Sequence, residues 1–328
     1  MRTVGRRTLV GLAACAAYRR PLAPARAAAP TLVPVALALV ITGFLTPAEQ
    51  YRSYVGLLAE LGIATITFND GSTLRAACPL GTGAARALAA VEAEAERLGL
   101  SASTPLVLVG HSRGAKECVL AAAQSTRPIA AFCLYDPVDS TVFEPDSTLP
   151  ILSALKVPSL VLGSGVGFGD CAPLNSNFAA FWDTLSAAKA PRLLGFMRCT
   201  GHTQFLDDRG NMLDVCSAGD DDDAAIHEVA LAATAAFLSA YVPGVRARLT
   251  ALHKMGRVGS GLTSASWVLL AEACESVASI VPLLESRRFR AAVEWRTGDL
   301  RPLAPAPVPR AASQIALGHR RPSLDRAQ

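Results

Sequence analysis

The sequence predicts an α/β fold with a mostly parallel central sheet and helices on both faces. Short apolar runs alternate with helical stretches, and the runs are almost continuously apolar, as strands covered on both faces must be. A third observation fixes one junction: Leu106-Val107-Leu108-Val109 leads directly into Gly110-His111-Ser112-Arg113-Gly114, which reads as a strand turning sharply into a helix.

The predicted strands run from Val33 to Ile41, Ile63 to Phe68, Leu106 to Val109, Ile129 to Tyr135, Pro158 to Leu162 and Arg192 to Met197. Between the first two, Thr46-Pro47-Ala48-Glu49 predicts a capping box with proline at the first helical position, and Gly62 a stop. The helix from Ala84 to Leu98 places Leu88, Val91 and Ala95 at helical spacing and ends at Gly99. Ala115 to Gln124 is rich in helix formers and is stopped by Thr126-Arg127-Pro128. Asp220 to Asp223 read as a solvated acidic loop that complements the start of a helix from Ala224 to Tyr241. Beyond Pro243-Gly244 come a basic helical stretch from Val245 to Lys254, a Gly/Ser break, an apolar helix from about Ala265 to Leu284, and a Pro/Ala/Arg-rich tail from Pro302 with too little apolar surface to offset its ordering entropy. The expected organisation is therefore a leader over 1–29, one α/β domain over 30–244, a helical extension over 245–300 and an unstructured tail over 301–328.

Charge separates the leader from the rest. The chain carries 31 basic and 27 acidic residues, net +4, but its first 29 residues hold six arginines and no acid; the remainder has 25 against 27, net −2. An arginine-rich, acid-free start reads as an organelle transit peptide, with a secretory signal, for which Val10 to Ala17 is a modest apolar block, as the alternative. With the basic excess confined there, no basic face is left for phosphate contacts, and no nucleic-acid partner is expected. Hydrophobic residues make up 51% but aromatics only 6%. The run from Val33 to Leu45 falls short of the roughly 20 residues a membrane-spanning helix needs. The eight cysteines show no C-x-x-C pair and no zinc-ligand spacing, so no metal is expected. A disulfide between Cys171 and Cys199, in loops flanking neighbouring elements, is left open.

A serine hydroxyl becomes a nucleophile when a tight turn presents it to a general base, and flanking glycines let two backbones approach it. Ser112 is the candidate. In the α/β-hydrolase fold this architecture predicts, an acid and then a histidine follow in chain order. His202, just after the last strand, is the candidate base, while His227, in an alanine-rich helix, and His253, in a basic segment, read as surface residues. Asp136, closing Phe132-Cys133-Leu134-Tyr135, is the favoured acid, with Asp139 and Asp170 as alternatives. The backbone N–H groups of Arg113, after the serine, and Phe44, after the first strand, are the candidate oxyanion donors, with Gly43 keeping that loop close to Ser112. Gly163 to Gly169 lacks G-x-G-x-x-G spacing and reads as a flexible loop at the site edge. Phe178, Phe181, Trp182 and Phe205 are candidate substrate-binding residues at the mouth, where an apolar lining suits a lipidic ester better than a charged metabolite.

Three segments together resemble the chlorophyllase family of plants and green algae. Gly110-His111-Ser112-Arg113-Gly114-Ala115-Lys116 resembles its G-H-S-R-G-G-K elbow, and Asp136-Pro137-Val138-Asp139 its D-P-V-D/A turn. Cys171-Ala172-Pro173 with Asn177 and Phe181, then Gly201-His202 and Leu206-Asp207-Asp208, resemble C-A-P…N…F and G-H-M-D-M-L-D-D. The resemblance covers about residues 33–243 and implies cleavage of the phytyl ester of chlorophyll by Ser112, Asp136 and His202, without a cofactor. Thr42 stands where the family has the histidine of H-G-F, Ala115 replaces the second glycine of the elbow, and Thr203-Gln204 replaces Met-Asp. The implied setting is the chloroplast, with chlorophyll or a similar hydrophobic ester as partner and peripheral membrane contact. A general carboxylesterase or lipase, or a non-catalytic pigment or lipid binder on the same fold, are the alternatives.

Overall fold

The computed structural model describes residues 33–69, 80–141, 144–166, 171–208, 216–255, 279–286 and 289–298. The leader, the tail, Asp170 and most of the expected helix from Ala265 lie outside these residues.

In chain order the strands are β1 (Ala36–Ile41), β2 (Ile63–Phe68), β3 (Leu106–His111), β4 (Ile129–Tyr135), β5 (Ser159–Val166), β6 (Arg192–Gly201) and β7 (Glu294–Gly298). The helices are α1 (Arg52–Glu60), α2 (Thr82–Arg97), α3 (Arg113–Gln124), α4 (Leu149–Ala154), α5 (Phe178–Ala187), α6 (Asp223–Tyr241), α7 (Val245–Lys254) and α8 (Ile280–Ser286). Among the described residues the strands form one sheet in the order β2-β1-β3-β4-β5-β6-β7. All neighbours are parallel except β6 and β7.

Alternation along the buried strands sends side chains to two cores. Ala36, Ala38 and Val40 of β1 join Val107 and Val109 of β3 against α1 and α6, whereas Leu37, Leu39 and Ile41 join Leu106 and Leu108 against α2, α3 and α5. Each fully buried leucine or valine contributes roughly 1.5–3 kcal/mol, which explains why these runs tolerate no polar residue. Helix α6 is long and apolar enough to cross a membrane, but 72% of its apolar window is buried in the fold.

Several expectations are corrected here. Segment 245–300, expected to be helical, ends in β7, whose pairing of Trp295 with Gly195 extends the sheet antiparallel. A strand of five residues needs only an open sheet edge, and β6 supplies one. The capping box at Thr46 does not form: Pro47 precedes a 3-10 turn, Ala48–Tyr51, and the Thr46 hydroxyl donates instead to the Phe44 carbonyl at 3.1 Å. Gly163 to Val166 are not loop but the end of β5. A Cβ on Gly163 would fall 2.4 Å from the Phe178 ring, and one on Gly165 2.3 Å from the Arg198 carbonyl oxygen, so these glycines serve close packing.

The order β2-β1-β3 means that the chain winds one way from β1 and then returns across it to β3. The carboxyl ends of β1 and β3 therefore flank the point where the winding reverses, the place where open parallel sheets leave a crevice.

Candidate active site

Ser112 sits at that crevice, between the last residue of β3 and the first of α3. Its backbone has φ 56° and ψ −130°, a conformation that costs an L residue about 1–3 kcal/mol unless its surroundings impose it. They do so through three backbone bonds: the Ser112 N–H donates to the Tyr135 carbonyl at 3.0 Å, and its carbonyl accepts from Ala115 at 3.1 Å and Val138 at 3.0 Å. The flanking glycines allow the turn, since a Cβ on Gly110 would lie 2.7 Å from Ala115 backbone and one on Gly114 2.2 Å from the Ile41 carbonyl oxygen.

Four adjacent strands each send one group to the same edge. Ser112 follows β3, Asp136 follows β4 at φ 39°, Ser164 lies near the end of β5, and His202 follows β6. His202 Nε2 is 2.8 Å from Ser112 Oγ, and its Nδ1 is 2.5 Å from Asp136 Oδ2. A carboxylate only accepts, so Nδ1 carries the hydrogen and the Nε2 lone pair faces the serine hydroxyl. Asp136 is fully buried and held by a second residue: Ser164 donates its N–H to Oδ1 at 2.9 Å and its hydroxyl to Oδ2 at 2.7 Å. The structure thus brings together Ser112, Asp136 and His202. Asp139, the described alternative acid, is turned to other work, its Oδ1 accepting from the Thr148 N–H at 2.7 Å and hydroxyl at 2.5 Å.

The two candidate oxyanion positions border the serine. Arg113 is the first residue of α3, where a backbone N–H has no partner within the helix. Phe44 follows Gly43, at which a Cβ would lie 3.2 Å from Ser112 Cβ and 3.1 Å from His111 Nδ1, so the loop after β1 presses on the elbow. The Phe44 side chain is 49% exposed, and its neighbour Leu45 59%.

The aromatic candidates are corrected. Phe178, Phe181 and Phe205 are core residues. Phe178 covers Gly163 and stacks on Phe196, while Phe205 packs beneath the site, 6.2 Å from the His111 and Tyr135 rings. Trp182 lies 5.0 Å from the guanidinium of Arg192, the first residue of β6. A ten-residue strand separates that end from His202, roughly 30 Å away. Composition near a motif does not tell core from mouth; among the described residues, the loop after β1 carries exposed Phe44 and Leu45 next to Gly43 at the elbow.

Other residues around the site were named in the sequence but given no part in it. Gln204, two past the histidine, accepts from the N–H groups of Gly201 at 2.7 Å and Gly219 at 2.9 Å, and donates to the Asp221 carbonyl at 2.6 Å and Asp223 Oδ1 at 2.7 Å. The acidic stretch Asp220–Asp223 is therefore not merely solvated: it anchors the histidine loop, with Thr200 donating to Asp221 at 3.0 Å. No metal-holding group of side chains occurs among the described residues. His227 is not a surface residue either; its Nε2 donates to the Leu206 carbonyl at 2.8 Å. Asp207 accepts from the Ser53 N–H at 2.9 Å, fastening the same loop to α1. The open cysteine question resolves differently, with Cys171 bonded to Cys216 and Cys199 a free, exposed thiol within β6.

A seven-stranded, mostly parallel sheet carrying a serine on a strained strand-to-helix turn at its winding reversal defines an α/β-hydrolase. A family model described as Chlorophyllase matches residues 91–261, more than half of the chain, which belongs to that family and is an ester hydrolase. No curated protein sequence matches. Similar solved structures include Est1E from Butyrivibrio proteoclasticus, at 15% identity and TM-score 0.43 over 61% of this chain and 86% of that one. Another comes from the metagenome-derived lipolytic enzymes LipS and LipT, at 14% identity and TM-score 0.41 over 54% and 89%. An acylaminoacyl peptidase of Pyrococcus horikoshii is similar at 14% identity and TM-score 0.41 over 51% of this chain and 33% of that one.

Proposed function

We propose that the protein cleaves the phytyl ester of chlorophyll, with Ser112 as nucleophile. The observation that carries this reading is the unbroken line Ser112 Oγ to His202 Nε2 at 2.8 Å and His202 Nδ1 to Asp136 at 2.5 Å. The serine oxygen bonds to the ester carbonyl carbon as His202 Nε2 takes its proton; Asp136 holds the imidazole in register and offsets its positive charge. The carbonyl oxygen becomes an oxyanion facing the N–H groups of Arg113 and Phe44, each such donor being worth roughly 3–4 kcal/mol of barrier. Collapse breaks the bond to phytol, which leaves with the proton from His202. Water, deprotonated by the same nitrogen, then attacks the acyl-serine and frees chlorophyllide and Ser112.

Family membership and the exposed Phe44 and Leu45 beside the serine support a hydrophobic ester that meets the enzyme at a lipid surface. Thr42 and Gln204, which depart from the family pattern, favour as second reading an esterase for another hydrophobic ester. The arginine-rich, acid-free leader supports delivery to the chloroplast. The test is incubation of the protein with chlorophyll a and, separately, p-nitrophenyl butyrate, with chromatography for chlorophyllide and a Ser112→Ala control. Chlorophyllide formed by the wild type and not by Ser112→Ala is the expected result. Turnover of the short ester alone would replace chlorophyll by the second reading, and turnover by Ser112→Ala would remove the serine mechanism altogether.

A further inference from the structure

His111, the residue between Gly110 and Ser112, is buried, and both its ring nitrogens are engaged. Nε2 lies 3.0 Å from the carbonyl oxygen of His202, and Nδ1 2.9 Å from the hydroxyl of Tyr51. That hydroxyl accepts from the N–H of Gly43 at 2.9 Å. Because a carbonyl only accepts, Nε2 carries the hydrogen, Nδ1 is a lone pair, and the Tyr51 hydroxyl donates to it. The chain has one polarity: Gly43 N–H to Tyr51 Oη, Tyr51 O–H to His111 Nδ1, His111 Nε2–H to His202 C=O. It joins the loop after β1, the elbow after β3 and the histidine loop after β6.

Such a tie has a mechanical reason. β6 is three strands from β3, roughly 14 Å, so the histidine loop must reach back over two strands to meet Ser112. Asp136 holds the ring at one nitrogen, but a ring so held still swings with its backbone. The bond from His111 fixes that backbone. Burial also keeps His111 uncharged, its pKa lowered to about 3, so that its ring, 4.9 Å from that of His202, does not oppose proton uptake there.

We propose that His111 and Tyr51 are positioning residues that lock the oxyanion loop and the histidine loop to the elbow, so that turnover requires a hydrogen-bond donor at the place of His111 Nε2. The inference rests on the hydrolytic reading above.

Two replacements split the two nitrogens: the amide of His111→Gln reaches about as far as Nε2 and keeps a donor for His202, whereas that of His111→Asn reaches only as far as Nδ1. Turnover of p-nitrophenyl butyrate would be measured for both, for Tyr51→Phe and for Ser112→Ala, alongside unfolding midpoints. His111→Asn and Tyr51→Phe are expected to lower kcat about 10- to 100-fold with KM within about twofold, and His111→Gln to recover kcat to within about threefold of wild type. Asn and Gln variants that both match wild type, or that lose activity only in proportion to folded protein, would overturn the inference. If His111→Asn does not fold, Tyr51→Phe decides the matter: kcat at the wild-type level overturns it. Turnover by Ser112→Ala would instead defeat the underlying hydrolytic reading, whereas an inactive Ser112→Ala beside a fully active His111→Asn would defeat the positioning role alone.

Discussion

Acid should unfold this protein partly through His111. Its pKa falls from 6.5 in the unfolded chain to about 3 in the fold, chiefly by burial; His202 pushes it down further and the carboxylate of Asp136 pulls it up. Between those values the unfolded chain binds a proton that the native state refuses, so native stability is unaffected above pH 6.5 and falls as pH drops toward 3. The slope reaches about 1.4 kcal/mol per pH unit, giving about 2.7 kcal/mol at pH 4.5 and up to about 5 kcal/mol at pH 3, against a total domain stability of about 5–15 kcal/mol. His111→Gln cannot take up that proton, while Asp136 and His202 remain in both proteins and cancel in the comparison to first order. Urea unfolding of wild type and His111→Gln from pH 7.5 to 4.5 isolates the effect. The variant is expected to be the less stable protein near neutrality and to gain on wild type by about 2.7 kcal/mol over that range. Parallel stability curves would refute the reasoning, because they would mean that His111 is protonated in the fold or reached by water.

Replacing Asp136 by Asn removes the acceptor that fixes the His202 tautomer and is expected to lower kcat roughly 10⁴-fold while leaving KM nearly unchanged, read by steady-state kinetics on a chromogenic ester. Ser164→Ala takes away one of the donors to that buried carboxylate, which should cost about 1.5–3 kcal/mol in chemical unfolding and reduce turnover less than Asp136→Asn does. Gly43→Ala adds a Cβ only 3.1–3.2 Å from His111 Nδ1, Ser112 Cβ and Thr46 Oγ1, so the loop must back away from the elbow; kcat should fall with KM little changed. Reduction of Cys171–Cys216, whose loop spans 45 residues, should lower stability by about 4 kcal/mol, seen as a lower unfolding midpoint in reductant that Cys171→Ser reproduces without it.

What could be read from the sequence divides along physical lines. Strands β1, β3 and β4 were legible because burial on both faces leaves a run such as Leu106-Val107-Leu108-Val109 with no polar member. The half-buried edge strand β2, which carries Thr65 and Thr67, was legible because its residues are apolar or β-branched. The ends of β5 and β6 were not, because glycine is as compatible with a loose loop as with a tight crossing, and only the neighbours of Gly163 and Gly165 tell the two apart. Chain order picked out Ser112 and His202, and the end of a strand favoured Asp136 over Asp139 and Asp170, but neither can place a donor like Ser164, whose role depends on β5 lying beside β4. Phe205 looked like a mouth residue because it follows His202 closely; the 3-10 turn His202–Phe205 instead points it into the core.

The motifs that carried the family resemblance turn out to be mostly braces. Arg113 and Lys116 of the elbow reach the chain ahead of α4: Arg113 Nε lies 2.9 Å from Glu144, and the buried Lys116 ammonium donates to the Asp146 carbonyl at 2.6 Å. Asp207 of the Leu-Asp-Asp segment binds the start of α1 at Ser53, and Asp208 accepts no less of that duty, donating its N–H to Gln50 at 2.8 Å. Ser112, Asp136 and His202 each ride on a loop that leaves a different strand, and in a reacting site a misplacement of about 1 Å can cost 100-fold in rate. Arg113, Lys116 and Asp207 tie the elbow and the histidine loop to neighbouring elements. Gln204 shows the consequence of a departure from the pattern: it replaces a carboxylate with an amide that can both accept from Gly201 and Gly219 and donate to Asp221 and Asp223. A carboxylate at that position would face Asp223 with like charge. The amide and the acidic stretch therefore belong together, and a substitution that looks like a loss of family character at one position is matched by the acids it binds.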